Sequence, residues 1–205
     1  MKIAASFVRS AADVKGLPHD GLSELALVGR SNVGKSSLIN ALVRQRIART
    51  SAAPGKTQLA NLYRVQRGSV PPFYVVDLPG YGYARGGRES ARAFDELTHV
   101  YFGRVGQVGR ASPALPARTI AVLMLIDARH PGLASDAAAW RWLLDRVGRA
   151  AIAATKIDKL ARGERIRATR EIESVHGCPV LPVSAVTGEG LDELWKLIDT
   201  LVTAD

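Results

Sequence analysis

Residues Gly29-Arg30-Ser31-Asn32-Val33-Gly34-Lys35-Ser36 constrain this chain more than any other stretch, because they fit the phosphate-cradling pattern G-x-x-x-x-G-K-[ST]. The pattern carries meaning only between a strand and a helix, and both flanks are present. An apolar run over 24–28 precedes it, and an amphipathic stretch over 35–44 follows. The glycines let the backbone curl so that successive N–H groups face one concavity, and the helix N-terminus adds unpaired amides and the positive end of its dipole. Lys35 then reaches the β- and γ-phosphates of a bound nucleotide, and the Ser36 hydroxyl reaches a magnesium ion.

Further apolar runs over 61–65, 73–76, 119–126, 150–154 and 180–183 read as strands. Most are continuous rather than alternating, as expected where helices cover both faces of a sheet. Between them lie helical patterns near 89–103 and over 135–147, 163–175 and 191–201, with Ser135-Asp136 and Asp192 as N-terminal capping signals. Arg67-Gly68-Ser69 reads as a hairpin turn, which makes one strand antiparallel. The expected fold is α/β: a three-layer arrangement with a mostly parallel six-stranded sheet, one antiparallel edge strand and helices on both faces. Residues 1–21 read as a lead-in segment, 22–205 as a single nucleotide-binding domain, and 103–118 as an exposed loop.

The longest apolar run, 119–126, is far short of the ~20 residues that a membrane helix needs, and the N-terminus lacks a signal-peptide core. A lone cysteine, Cys178, suits a reducing cytoplasm and reads as a buried structural thiol. The net charge of +9 favours a polyanionic partner, either nucleic acid or an anionic membrane surface.

Four more segments complete a nucleotide site. Asp77-Leu78-Pro79-Gly80 ends a strand, where Asp77 can hold magnesium through water and the Gly80 amide can meet the γ-phosphate. In Pro54-Gly55-Lys56-Thr57-Gln58, the Thr57 hydroxyl offers a second magnesium ligand when the triphosphate is bound. Lys35, Thr57 and Gly80 are thus the candidate catalytic set, and Ser36, Thr57 and Asp77 the candidate metal set. Thr155-Lys156-Ile157-Asp158 selects the base. The Asp158 carboxylate accepts from guanine N1–H and the N2 amino group, whereas adenine offers no such donor pair. The Lys156 stem can lie across the base, and Ser184-Ala185-Val186 can bring the Ala185 amide to guanine O6. GTP or GDP with Mg2+ is the expected ligand.

Taken together with Gly82-Tyr83-Ala84 and Asp127-Ala128-Arg129-His130-Pro131, these segments resemble the EngB (YihA/YsxC) family of bacterial P-loop GTPases, in the translation-factor-related class. The resemblance runs from about Leu22 to Leu201, and 7–10 resembles the family's lead-in. It implies a single-domain, monomeric, cytoplasmic GTPase acting as a switch in large ribosomal subunit assembly, with rRNA and ribosomal proteins as partners and a link to cell division and septation. Two departures from the Ras-like pattern matter. Thr155 stands where Asn is common, which would alter a loop-bracing hydrogen bond. Tyr81 stands where a water-orienting Gln often sits, which predicts slow intrinsic hydrolysis. Asn32 resembles the asparagine by which potassium-activated relatives hold K+. Arg44, Arg46 and Arg49 form one basic group, Arg85, Arg88 and Arg92 a second, and the run from Arg162 to Arg170 reads as a solvated face. Two other readings remain open: a GTP-dependent binding module with negligible turnover, and a division-associated scaffold.

Overall fold

Seven strands rather than six form the sheet in the computed structural model, which describes residues 2–50, 59–81, 97–103 and 119–203. The strands are β1 (Ile3–Ala11), β2 (Glu24–Gly29), β3 (Ala60–Arg67), β4 (Phe73–Asp77), β5 (Ile120–Asp127), β6 (Ala150–Thr155) and β7 (Val180–Pro182). The helices are α1 (Lys35–Val43), α2 (described over 97–102), α3 (Ala134–Leu144), α4 (Arg162–His176) and α5 (Leu191–Val202). The sheet order is β1-β3-β4-β2-β5-β6-β7. One edge of the sheet is antiparallel, as expected: the outermost strand β1 pairs against β3 from Ile3↔Arg67 to Ala11↔Ala60, and β3 in turn pairs against β4. The extra strand lacks a clear sequence signal because most of its residues are exposed: Ile3 and Ala5 are half-buried, and Ala11 at its end is buried.

Central strands behave as their composition dictates. All six residues of β2 are buried, as are seven of the eight in β5, so continuous apolar runs sit under helices on both faces. On one face α1 and α5 pack through Leu38, Ile39, Leu42, Leu194, Trp195 and Ile198. Helix α5 carries its apolar residues at helical spacing, and the Trp195 indole donates to Leu42 O at 3.3 Å. Arg67 ion-pairs with Asp199 of α5 and lies over the Trp195 ring, which fixes β3 to that helix. On the other face lie Tyr101, Phe102, Trp140, Leu143 and Ile172. Trp140 and Trp142 do diverge: Trp140 is in the core, while half-buried Trp142 stacks under Arg146. Cys178 is half-buried rather than buried, and burial pushes its thiol pKa up.

The capping signals play other parts. Leu133 is the N-cap of α3 and makes no side-chain bond, while Asp136 lies buried in the first turn. Gly190 caps α5, and Asp192 sits in its first turn, where a negative charge suits the helix dipole. The carboxyl ends of β2, β4, β5 and β6 come out side by side, with Leu27 opposite Asp77, Gly29 opposite Leu125 and Asp127 opposite Thr155. Open α/β sheets bind ligands in this crevice.

Candidate functional site

The loop between β2 and α1 is held from below and from the side. A Cβ on Gly29 would lie 2.7 Å from Leu125 O, so the backbone there passes too close to β5 for any side chain. Asn32 (φ 62°) and Gly34 (φ 111°) take left-handed turns around Val33, whose side chain is buried. The Thr155 hydroxyl donates to Val33 O at 2.8 Å, with Ile126 O as a second acceptor at 3.2 Å. The bracing bond expected to change with Thr155 is therefore present, supplied by a hydroxyl. Lys156, itself left-handed, donates its ammonium to Asn32 O and to Asp127 Oδ2, the latter at 2.9 Å.

At the mouth of this loop Lys35 and Asp77 are both buried. Burial lowers the Lys35 pKa, against the pull of Asp77, and Lys35 Nζ donates to Gly29 O at 3.3 Å. Burial likewise raises the Asp77 pKa, against the influence of Lys35 and the Ser36 hydrogen bond. Ser36 Oγ donates to Asp77 Oδ2 at 3.2 Å, while Oδ1 is buried with no hydrogen-bond partner among the described residues. A buried carboxylate oxygen without a donor, next to a hydroxyl, fits a hard cation that takes oxygen ligands. Gly55, Lys56, Thr57 and Gln58, and likewise 82–84, Arg85, Arg88 and Arg92, lie outside the described residues.

Leu78 and Pro79 are buried and lead into a turn that touches the phosphate loop directly. A Cβ on Gly80 would stand 2.6 Å from Ser31 N and 2.7 Å from Ser31 Cα. Ser31 N donates to Tyr81 O at 3.1 Å, Ser31 Oγ donates to Gly80 O at 3.3 Å, and Arg30 and Tyr81 form an isolated parallel bridge. The Tyr81 hydroxyl donates to Asp136 Oδ1 of α3 at 2.9 Å. Burial raises the pKa of both groups. Tyr81 thus anchors the turn to α3, and its hydroxyl is engaged there.

On the base side, Asp158 lies in a 3-10 turn (Ile157–Lys159). Fully buried Ser184 donates to Asp158 Oδ1 at 2.8 Å, and its Oγ accepts from Val186 N at 3.2 Å and Thr187 N at 3.1 Å. Burial pushes the Asp158 pKa up, but the hydrogen bonds from Ser184 and Lys159 outweigh it and hold the carboxyl below its usual range. Ala185 is half-buried, and the Val186 side chain is 77% exposed. Sequence alone does not single out the Ser184 hydroxyl; its partner is distant in the chain, and Ser-Ala is too common to signal it. Nor does it give Asp127 and Arg129 a role. Their signal is a strand-ending Asp followed two residues later by Arg.

Asp127 accepts from Arg129 Nε at 2.9 Å and Nη2 at 2.7 Å as well as from Lys156. Burial raises its pKa, yet the Arg129 and Lys156 hydrogen bonds prevail and bring it to about 2. A depressed carboxyl pKa stabilises the fold above the unfolded value near 3.9 and loses that contribution as pH falls through the folded value. Denaturant midpoints of wild type and Asp127→Asn should therefore differ at pH 7 and converge as the pH is lowered from about 4 toward 2. A gap that stays constant with pH would contradict this. Asp127, Arg129 and Lys156 line, with Arg30 and Asn32, a cleft of about 350 Å³ beside the loop.

Residues 24–150 match the family described as 50S ribosome-binding GTPase. Among curated proteins, the "Probable GTP-binding protein EngB" of Chlorobaculum tepidum is 40% identical over 200 residues, covering 96% of each chain. Among solved structures, a probable GTP-binding protein EngB superposes with a TM-score of 0.64 at 20% identity, covering 88% of this chain and 98% of that one. Era in complex with MgGDPNP and nucleotides 1506–1542 of 16S ribosomal RNA gives a TM-score of 0.70 at 22% identity, covering 91% of this chain and 59% of Era. At such identities the two structures show the shared fold.

Proposed function

The chain belongs to the EngB family of GTP-binding P-loop GTPases, and we propose that it is a GTP-driven switch in assembly of the large ribosomal subunit, acting in the cytoplasm and through that role in normal cell division and septation. The observation that carries the nucleotide half of this reading is the pairing, along one crevice, of buried Lys35 and Asp77, the latter bonded to half-buried Ser36, with an Asp158 carboxylate held by Ser184. The ribosomal half is supported by the description of the matching family and by the rRNA bound to Era, a protein of the same fold. Among the described residues no helix is long and apolar enough to cross a membrane.

In this reading Lys35 and the amides of 29–36 hold the phosphates, Gly80 meets the γ-phosphate, and Asp158, Lys156 and Ala185 recognise guanine. Ser36, Asp77 and Thr57 would hold magnesium, which supplies charge neutralisation at the β- and γ-phosphates. Ser36→Ala should weaken both GDP and a non-hydrolysable GTP analogue, whereas Thr57→Ala should weaken chiefly the analogue. Equal losses for Thr57→Ala would remove Thr57 from γ-phosphate sensing.

Because the Tyr81 hydroxyl is engaged by Asp136, the site lacks a water-orienting amide directly after Gly80. Intrinsic turnover should be at or below roughly 10⁻³ per second, near that of unassisted GTPases. Multiple-turnover phosphate release with and without purified large subunits tests the proposal, and the subunits should raise the rate. Sodium-for-potassium exchange at constant ionic strength forms a second arm. If K+ held near Asn32 supplies the help, potassium should accelerate the isolated protein and Asn32→Ala should abolish the gain. Rates unmoved by subunits would overturn the ribosomal reading.

A further inference from the structure

The charge of this protein is concentrated. No Asp or Glu occurs between Glu24 and Asp77, while eight Lys or Arg fall in that stretch, so it accounts for nearly all of the net +9. Several of these cations are engaged. Lys35 sits in the phosphate loop, Arg67 is paired with Asp199, and Arg30 acts electrostatically on Tyr81 and Asp136. Arg44, Arg46 and Arg49 are all exposed, none is paired with a carboxylate among the described residues, and they share one turn after α1.

That turn is built rather than loose. Asn40 of α1 folds its side chain over it, accepting from Ile47 N at 2.9 Å and Ala48 N at 2.8 Å and donating to Ala48 O at 2.8 Å. Arg44 closes the helix in the left-handed region (φ 56°), and Ala48 is buried in the α1–α5 core. With Ala48 pinned inward, the three arginines are presented outward on a fixed frame. The turn also adjoins the magnesium end of the site. Tyr63, its pKa pushed up to about 12 by burial and Asp77, is acted on by Arg49 as well.

We propose that the turn held by Asn40 and bearing Arg44, Arg46 and Arg49 is a contact surface for the phosphate backbone of RNA; this deepens the reading of the chain as a ribosome-directed switch and rests on it. Guanidinium forks match phosphate oxygens in pairs, and a fixed frame lowers the ordering cost of meeting them. A membrane surface fits less well, because such sites embed apolar side chains and none of the exposed large hydrophobics lies between 44 and 50.

The test measures binding of the full chain, loaded with a non-hydrolysable GTP analogue, to transcribed large-subunit rRNA and to intact large subunits, across a salt series. Arg44→Gln/Arg46→Gln/Arg49→Gln should lose affinity for both. Its slope of log K against log salt should fall by about two to three units, at roughly 0.7–0.9 per phosphate contact. Arg162→Gln/Arg167→Gln/Arg170→Gln on α4 removes the same charge and should bind nearly as wild type. Asn40→Ala keeps every charge, so it should lower affinity severalfold while leaving the salt slope unchanged. Guanine nucleotide affinity, unaltered in all variants, reports that they are folded. Equal losses for the two triple variants would overturn the proposal, as would Arg-turn-dependent capture by phosphatidylserine vesicles without RNA binding. Subunit binding that ignores the Arg-turn changes would overturn the surface and leave the switch standing. RNA binding through the turn without subunit binding would do the reverse.

Discussion

Asp158→Asn should bind GTP roughly 30- to 1,000-fold more weakly than wild type, a loss of about 2–4 kcal/mol. The carboxylate is the acceptor proposed for two guanine donors, and an amide can offer its single oxygen to only one of them while turning an N–H toward the other. The structure sharpens the reason. One carboxylate oxygen is already fixed at 2.8 Å by Ser184, so the substituted amide would have to leave its oxygen on that hydroxyl and present its NH2 to the base. Two donors would then face each other. Equilibrium titration with a fluorescent GTP analogue measures the loss, and thermal melting checks that the variant is folded. Xanthine nucleotide, which carries a carbonyl in place of the N2 amino group, should recover part of the affinity. A folded variant with undiminished GTP affinity would remove Asp158 from base recognition.

Gly80→Ala should lower turnover about 100-fold, the order expected when a reacting geometry is displaced by about 1 Å. The new Cβ would meet Ser31 N at 2.6 Å and Ser31 Cα at 2.7 Å, and these are backbone atoms with no rotamer to give. Either the phosphate loop or the Gly80 turn must shift. The loop is braced by Thr155 on Val33 and by Lys156 on Asn32, so the turn should yield. Affinity for GTP and the rate of hydrolysis should then fall while GDP affinity stays near wild type. Parallel losses for GDP and GTP would mean that the loop moves instead.

The parts of the candidate nucleotide site that are legible in the sequence are local. The glycines and Lys35 of the phosphate loop, the strand-ending Asp77 and the turn holding Asp158 each occupy a few consecutive residues after an apolar run, and such runs are what buried parallel strands require. Pairs joined only in three dimensions were not legible. Tyr81 read as a missing glutamine, and Asp136 as a cap signal; nothing in either neighbourhood tells that they bond across 55 residues. Ser184 gave no hint that its hydroxyl fixes Asp158. Strand β1 is illegible for a different reason: its apolar residues neither alternate with polar ones nor form an unbroken run, most of it is exposed, and it is defined by hydrogen bonds to β3.

That strand also sets an order of events during biosynthesis. β1 pairs with β3 alone in the sheet, and β3 follows it by roughly fifty residues, so during synthesis β1 has nothing to zip against until residues 60–67 emerge. Closing a loop of that length costs roughly 3–4 kcal/mol of chain entropy before any pairing returns it. Until then the segment is unpaired, and the Arg9 side chain beside the bulge between Phe7 and Arg9 is the sort of charge that keeps such an edge from recruiting a neighbouring polypeptide. Among the described residues the candidate nucleotide crevice, at the ends of β2, β4, β5 and β6, draws none of its walls from β1, so its walls can come together before β1 has found its partner.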